Sequence, residues 1–71
     1  MPDSPEANIA TADALTLLLH NQHAIATAIE ELSLWVRAQG EPVVHLNVRT
    51  ALQTLDANAS AITAVILKLR Q

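Results

Sequence analysis

The side chains best suited to hold a metal ion are two histidines, His20 and His23, in a chain of 71 residues that contains no cysteine. On a helix, residues three apart lie on one face, so two imidazoles at this spacing can bind the same Zn²⁺ ion. Zinc needs further protein ligands, and His45, the third histidine, lies far along the chain. We therefore predict two solvated histidines and no metal cofactor, with a site shared between two protomers as the alternative.

The sequence contains no pattern of residues that is typical of acid–base or nucleophilic catalysis. Glu30 and Glu31 are neighbours in sequence, so on a helix they point about 100° apart and cannot share a proton or a metal ion. The absence of cysteine excludes thiolate chemistry, and a short helical chain offers little concavity for a substrate. The sequence predicts a protein that is not an enzyme and has no cofactor.

The composition is typical of helices. Hydrophobic residues make up 51% of the chain, with alanine and leucine dominant and Trp35 as the single aromatic residue. One glycine and three prolines are too few for the turns of a several-stranded sheet. The net charge of −3, with only four cations, disfavours nucleic acid as a partner. Because no apolar run fits a signal peptide or a membrane span, we expect a cytoplasmic protein.

One strong break divides the chain, at Gly40 and Pro42. Glycine favours the left-handed position after a helix, and proline favours the first turn of the next helix. Ser4 offers an early cap for the first helix, and Asn8 or Thr11 offers a later one. The predicted segments are a flexible N-terminus at 1–9 and one helical domain at 10–71, made of helix 1 at about 10–39, a turn at 40–42 and helix 2 at about 42–70.

Each predicted helix carries one apolar stripe with heptad spacing. The stripe of helix 1 contains Leu15, Leu18, Gln22, Ile25, Ile29, Leu32 and Val36, and that of helix 2 contains Val48, Leu52, Leu55, Ala59, Ile62, Ile66 and Leu69. If the chain folds back at the turn, facing residues have numbers that add to 84, as for Val36 with Val48. The sequence thus predicts an all-α fold, an antiparallel two-helix hairpin with a heptad seam.

The two flanks of this stripe differ in charge, since one includes Arg49, Asp56 and Arg70. The other flank is uncharged and contains Asn21, Ala28 and Trp35 from helix 1 and Val44, Ala51, Asn58 and Val65 from helix 2. A lone hairpin buries too little apolar surface to offset its ordering entropy. We predict that the uncharged flank is an oligomer interface that joins two copies into a four-helix bundle. Docking on a different protein is the alternative for the same flank.

Two further features concern specificity. Gln22 is the one long polar side chain on the stripe of helix 1, and we predict that it fixes the register, with Asn58 or the Gln22 of a second protomer as its hydrogen-bond partner. Leu34, Trp35 and Leu46 fall near the turn, and they are predicted to form an exposed patch for a partner protein.

These observations favour a small, non-enzymatic helical-hairpin module for protein–protein interaction, which serves as a regulator, an inhibitor or an assembly adaptor. The alternative is RNA binding by a dimeric hairpin, as in the plasmid copy-control protein Rop, which has a two-helix architecture although no motif in this chain resembles its sequence. The small number of cations counts against RNA.

Overall fold

The protein is an antiparallel hairpin of two long helices. The structure, a computed structural model, describes residues 4–71 and contains α1 at Pro5–Ala38 and α2 at Pro42–Leu69. The helices pack against each other along their length in a rod 54 Å long and 15 Å wide. The prediction of an all-helical hairpin is confirmed. Neither helix in the described range has a stretch long and apolar enough to cross a membrane.

Helix α1 begins earlier than predicted, at Pro5 instead of about residue 10. The Ser4 hydroxyl accepts a hydrogen bond of 2.9 Å from the backbone N–H of Ala7, which satisfies one of the free donors of the first turn. Proline at the first helical position and Glu6 in the first turn also favour a start here. Of the segment predicted to be flexible, residues 5–9 are therefore helical, and residues 1–3 lie outside the described residues.

The turn forms where the sequence places it. Gly40 has a φ of +77°, which is the left-handed conformation that glycine adopts without a steric cost. Its N–H donates to the carbonyl of Arg37 at 3.1 Å, and the N–H of Gln39 donates to the carbonyl of Trp35 at 3.1 Å. These bonds satisfy the last carbonyls of α1, and Pro42 then starts α2.

The contact stripe of α2 is the predicted one, extended by His45 at the turn. Its half-buried or buried residues are His45, Val48, Leu52, Leu55, Ala59, Ile62, Ile66 and Leu69. These positions follow the alternating spacing of three and four that the sequence predicts.

The contact stripe of α1 differs from the prediction at every second position. Leu18, Ile25 and Leu32 are 58%, 56% and 62% exposed, so their assignment to the stripe is wrong. The positions turned toward α2 are Ala12, Leu15, Leu19, Gln22, Ala26, Ile29, Ser33 and Val36. Small side chains at three of these positions allow the two helices to approach closely. The Ser33 hydroxyl, in addition, lies 3.0 Å from Nδ1 of His45 on α2.

This rotation of α1 changes the register by about three residues. When the two contact stripes are paired in order from the turn, from Val36 with His45 to Ala12 with Leu69, facing positions have numbers that add to 81. The residue numbers of the two side-chain contacts between the helices, Ser33 with His45 and Asp13 with Arg70, add to 78 and 83, one below and one above this sum. The predicted sum of 84 is therefore too large.

The core of the hairpin is small. Among residues 4–71 the buried hydrophobic side chains are Ala12, Leu19 and Ile66, and no large side chain is fully buried. The chain exposes 5439 Å², whereas a compact monomer of its 7.6 kDa mass exposes about 4,300 Å². Much apolar surface therefore stays in contact with solvent when the hairpin is alone.

Candidate functional site

The main surface feature is a broad face without charge on one flank of the contact stripe, which we call the uncharged face. From α1 it contains Leu18, Asn21, Ile25, Ala28, Leu32 and Trp35, and from α2 it contains Val44, Asn47, Ala51, Asn58, Ala61 and Val65. All of these side chains are exposed. The seven residues predicted for the oligomer interface thus share one side of the hairpin. The contribution of Leu18, Ile25 and Leu32 to this face was not predicted from the sequence, because these residues were assigned to the contact stripe.

Two apolar grooves run along the uncharged face. The larger, of about 550 Å³, lies near the turn and is lined by Leu32, Trp35, Val44 and Ala51 beside residues of the contact stripe. The smaller, of about 190 Å³, lies near the open end of the hairpin. Its lining consists of Leu15, Ala61, Ile62 and Val65. Both grooves are shaped to accept apolar side chains from another surface.

The opposite flank, which we call the charged side, holds most of the ionisable residues. It includes Asp13, His20, His23, Glu30, Arg37, Arg49, Asp56 and Arg70. Nη2 of Arg70 donates to Oδ1 of Asp13 at 2.8 Å, and this pair joins the two ends of the chain. Because both side chains are exposed, the pair contributes at most about 1 kcal/mol. Most of the charged side chains thus lie away from the uncharged face.

No family model, curated protein or solved structure matches this chain. The function must therefore be inferred from the chemistry of its surfaces. Charge segregation and a grooved apolar face are the features that distinguish one side of this hairpin from the other.

The three histidines are distributed over two regions. His20 and His23 are exposed on the charged side, whereas His45 is half-buried at the turn end and contacts Ser33. Within residues 4–71, no three potential metal ligands lie close enough together to hold one ion. A pair of imidazoles from one hairpin is incomplete as a zinc site.

Gln22 lies on the contact stripe, as predicted, and is half-buried. Its Oε1 is buried, and no donor in the described chain reaches it. The position opposite in the register is Ala59, which offers no side-chain donor. Asn58, one of the two predicted partners, lies on the exposed uncharged face and does not bond this atom. A buried acceptor without a partner costs free energy that the folded hairpin must offset elsewhere.

We expect the variant Gln22→Leu to raise the free energy of unfolding by about 1–3 kcal/mol, since it removes an unsatisfied buried amide and keeps a similar volume. Urea unfolding followed by circular dichroism, at one fixed protein concentration, measures the change. The control is Gln53→Leu at an exposed position of α2, which should stay within about 0.5 kcal/mol of the parent. A loss of stability in Gln22→Leu would show that this amide is satisfied in solution.

Leu34 and Leu46 lie apart from the grooves. They are 58% and 62% exposed, and neither lines the groove that contains Trp35. Along α1, Leu34 is flanked one turn away by Glu30 and Arg37, so it sits at the edge of the charged side. The three residues of the predicted partner patch are thus exposed near the turn, with Trp35 turned toward the uncharged face.

Proposed function

We propose that this protein is a non-enzymatic module for protein–protein interaction that acts as a homodimer, in which two hairpins pack through their uncharged faces into a four-helix bundle. The observation that carries the proposal is the row of large apolar side chains left exposed on that face, Leu18, Ile25, Leu32 and Trp35 on α1 and Val44 and Val65 on α2. Soluble monomers rarely expose an apolar patch this continuous, and such patches mark interaction sites.

The size of the exposed surface supports a second copy as the occupant. The hairpin exposes about 1,100 Å² more than a compact monomer of its mass, and a stable interface buries roughly 800 Å² on each partner. Two identical faces with no charge can meet without repulsion although each chain has a net charge of −3. Closed two-fold symmetry is the commonest form of such association.

A different protein would bind the surface near the turn that stays exposed in this dimer. Leu34 and Leu46 are exposed outside the uncharged face, and Arg37 and Arg49 lie one turn away from them along their helices. Apolar side chains bordered by charge are typical of a modest docking surface. We propose that a regulator, inhibitor or adaptor role works through this surface near the turn, with the four-helix bundle as the scaffold.

RNA binding and metal binding receive less support. Of the four cations, Arg70 is paired with Asp13. The remaining three, Arg37, Arg49 and Lys68, are too few to bind nucleic-acid phosphates tightly at physiological salt concentration. His20 and His23 are the candidate ligands for the alternative of metal binding, and their exposed positions favour solvated side chains.

Sedimentation equilibrium of the intact chain tests the proposal. We expect a mass of two 7.6 kDa chains at micromolar concentrations, with a loss of helical signal on dilution, because the lone hairpin has a small core. Trp35 is the only aromatic residue, so its fluorescence should shift to longer wavelength as the dimer separates. A fully helical monomer at every concentration would contradict the proposal.

A further inference from the structure

We propose that the two copies in the dimer lie with their ends reversed, so that the turn of each hairpin meets the open end of the other. This inference rests on the self-association proposed above and adds its geometry. Two face-to-face arrangements with two-fold symmetry exist for a hairpin, one with both turns at the same end and one with the turns at opposite ends. The distribution of bulk and charge on the uncharged face favours the second.

The apolar side chains of the uncharged face are larger near the turn than near the open end of the hairpin. The turn end presents Leu32, Trp35 and Val44 around the larger groove, and the open end presents Leu18 and Val65 beside the smaller groove. If both turns lay at the same end, α1 of each copy would face α2 of the other, and both tryptophans would lie at the turn end, away from the less bulky open end. If the ends are reversed, each Trp35 lies against the open end of the other copy.

A single register brings large side chains against small or apolar ones on both helices. The face runs from Leu18 to Trp35 on α1 and from Val44 to Val65 on α2, so its centre lies between positions 26 and 27 on α1 and between positions 54 and 55 on α2. A two-fold axis through this centre pairs positions of the two copies along α1 and along α2. The pairs are Trp35 with Leu18, Leu32 with Asn21, Ile25 with Ala28, Val44 with Val65, and Ala51 with Asn58.

The same register gives an ion-pair partner to the one cation that borders the uncharged face. Lys68 lies on α2 near the open end, at the edge of the uncharged face. With the ends reversed, it comes to the height of Glu41 in the turn of the other copy, and that carboxylate is exposed. The two-fold axis forms this contact twice. Such a pair adds little affinity, but it favours the reversed orientation over the alternative.

Cysteine cross-linking tests this geometry, because the native chain has no cysteine. The double variant Val44→Cys/Val65→Cys places thiols that face each other across the interface only when the ends are reversed. Within one hairpin the two positions lie about 30 Å apart along α2, so a short bis-maleimide linker cannot join them inside one chain. We expect most of the double variant to migrate as a covalent dimer in a denaturing gel.

Three controls make the outcome decisive. The single variants Val44→Cys and Val65→Cys should stay monomeric in the gel, as should Thr50→Cys/Ala64→Cys, whose exposed positions lie outside the uncharged face. A dimer in sedimentation without cross-linking of the Val44→Cys/Val65→Cys variant would overturn this geometry and leave the proposed function intact. Cross-linking of Val44→Cys with itself would place both turns at one end and overturn it equally. A monomer in sedimentation would overturn the proposed function and this inference together.

Discussion

Replacing Trp35 by glutamate is expected to convert the proposed dimer into a separate and poorly folded chain. In the lone hairpin this indole is 63% exposed and lines the larger groove, so in the proposed dimer most of its burial comes from the second copy. Tryptophans buried in interfaces often contribute 2 kcal/mol or more. A carboxylate there would also lose its hydration without gaining a partner. We therefore expect the dissociation constant to rise by at least about 100-fold.

Loss of helix should accompany this dissociation. The core of one hairpin consists of few buried side chains, so a separated chain retains little apolar burial to offset its conformational entropy. Sedimentation equilibrium gives the mass of the Trp35→Glu variant, and circular dichroism gives its helix content. Both should fall together across the concentration range in which the parent is dimeric.

The matched control is Asp56→Arg on the charged side. Asp56 is exposed and lies away from the grooves, so reversal of its charge should change neither the mass nor the helix content. If Trp35→Glu stays dimeric and helical, the interface lies elsewhere. Trp35 would then be a docking residue for a different protein, which is the alternative that its position near Leu34 and Leu46 first suggested.

The turn and α2 could be predicted from sequence because their signals are local and unambiguous. Gly40 and Pro42 each favour one conformation for a steric reason, and α2 carries only one apolar stripe. The register was predicted less well, because it depends on which face of α1 is turned toward α2.

Helix α1 carries two overlapping apolar stripes, and this caused the error. Leu15, Gln22, Ile29 and Val36 belong to both, whereas the alternating positions are either Leu18, Ile25 and Leu32 or Leu19, Ala26 and Ser33. Side-chain size alone favours the first set. The hairpin buries the second set, because small residues allow close approach of the helices and Ser33 finds a polar neighbour in His45. A helix that is apolar on two adjacent faces is suited to contact two partners, one within the hairpin and one beyond it.

The composition of the candidate site was predictable in part. The uncharged flank could be predicted from the positions of the charged residues in the sequence, and four of its six α2 residues, Val44, Ala51, Asn58 and Val65, are the predicted ones. Its full width on α1 depends on a rotation of that helix that exchanges every second residue of the contact stripe. That rotation is a tertiary effect, since it is decided by contacts between α1 and α2 and has no local signal.

The observed contact stripe leads to a second prediction, that truncation of Leu19 strongly destabilises the hairpin. This side chain is 8% exposed and packs in the core cluster with Ala12 and Ile66. Truncation of a buried leucine removes its transfer free energy and leaves a cavity, which together cost about 2–5 kcal/mol. In a protein with so small a core, Leu19→Ala should remove most of the cooperative unfolding transition. Thermal unfolding followed by circular dichroism, at matched protein concentration, measures this loss.

Leu17→Ala is the control for Leu19→Ala, because Leu17 lies on the same helix, is 67% exposed and belongs to no groove. Its cost should stay within about 0.5 kcal/mol. Leu19→Ala and Ile66→Ala should also be non-additive, with a coupling of about 0.5–3 kcal/mol, since both remove atoms from one cluster. Equal losses for Leu17→Ala and Leu19→Ala would show that α1 is turned differently in solution. In that case the uncharged face would have to be redefined, because Leu18, the residue between them, could no longer belong to it.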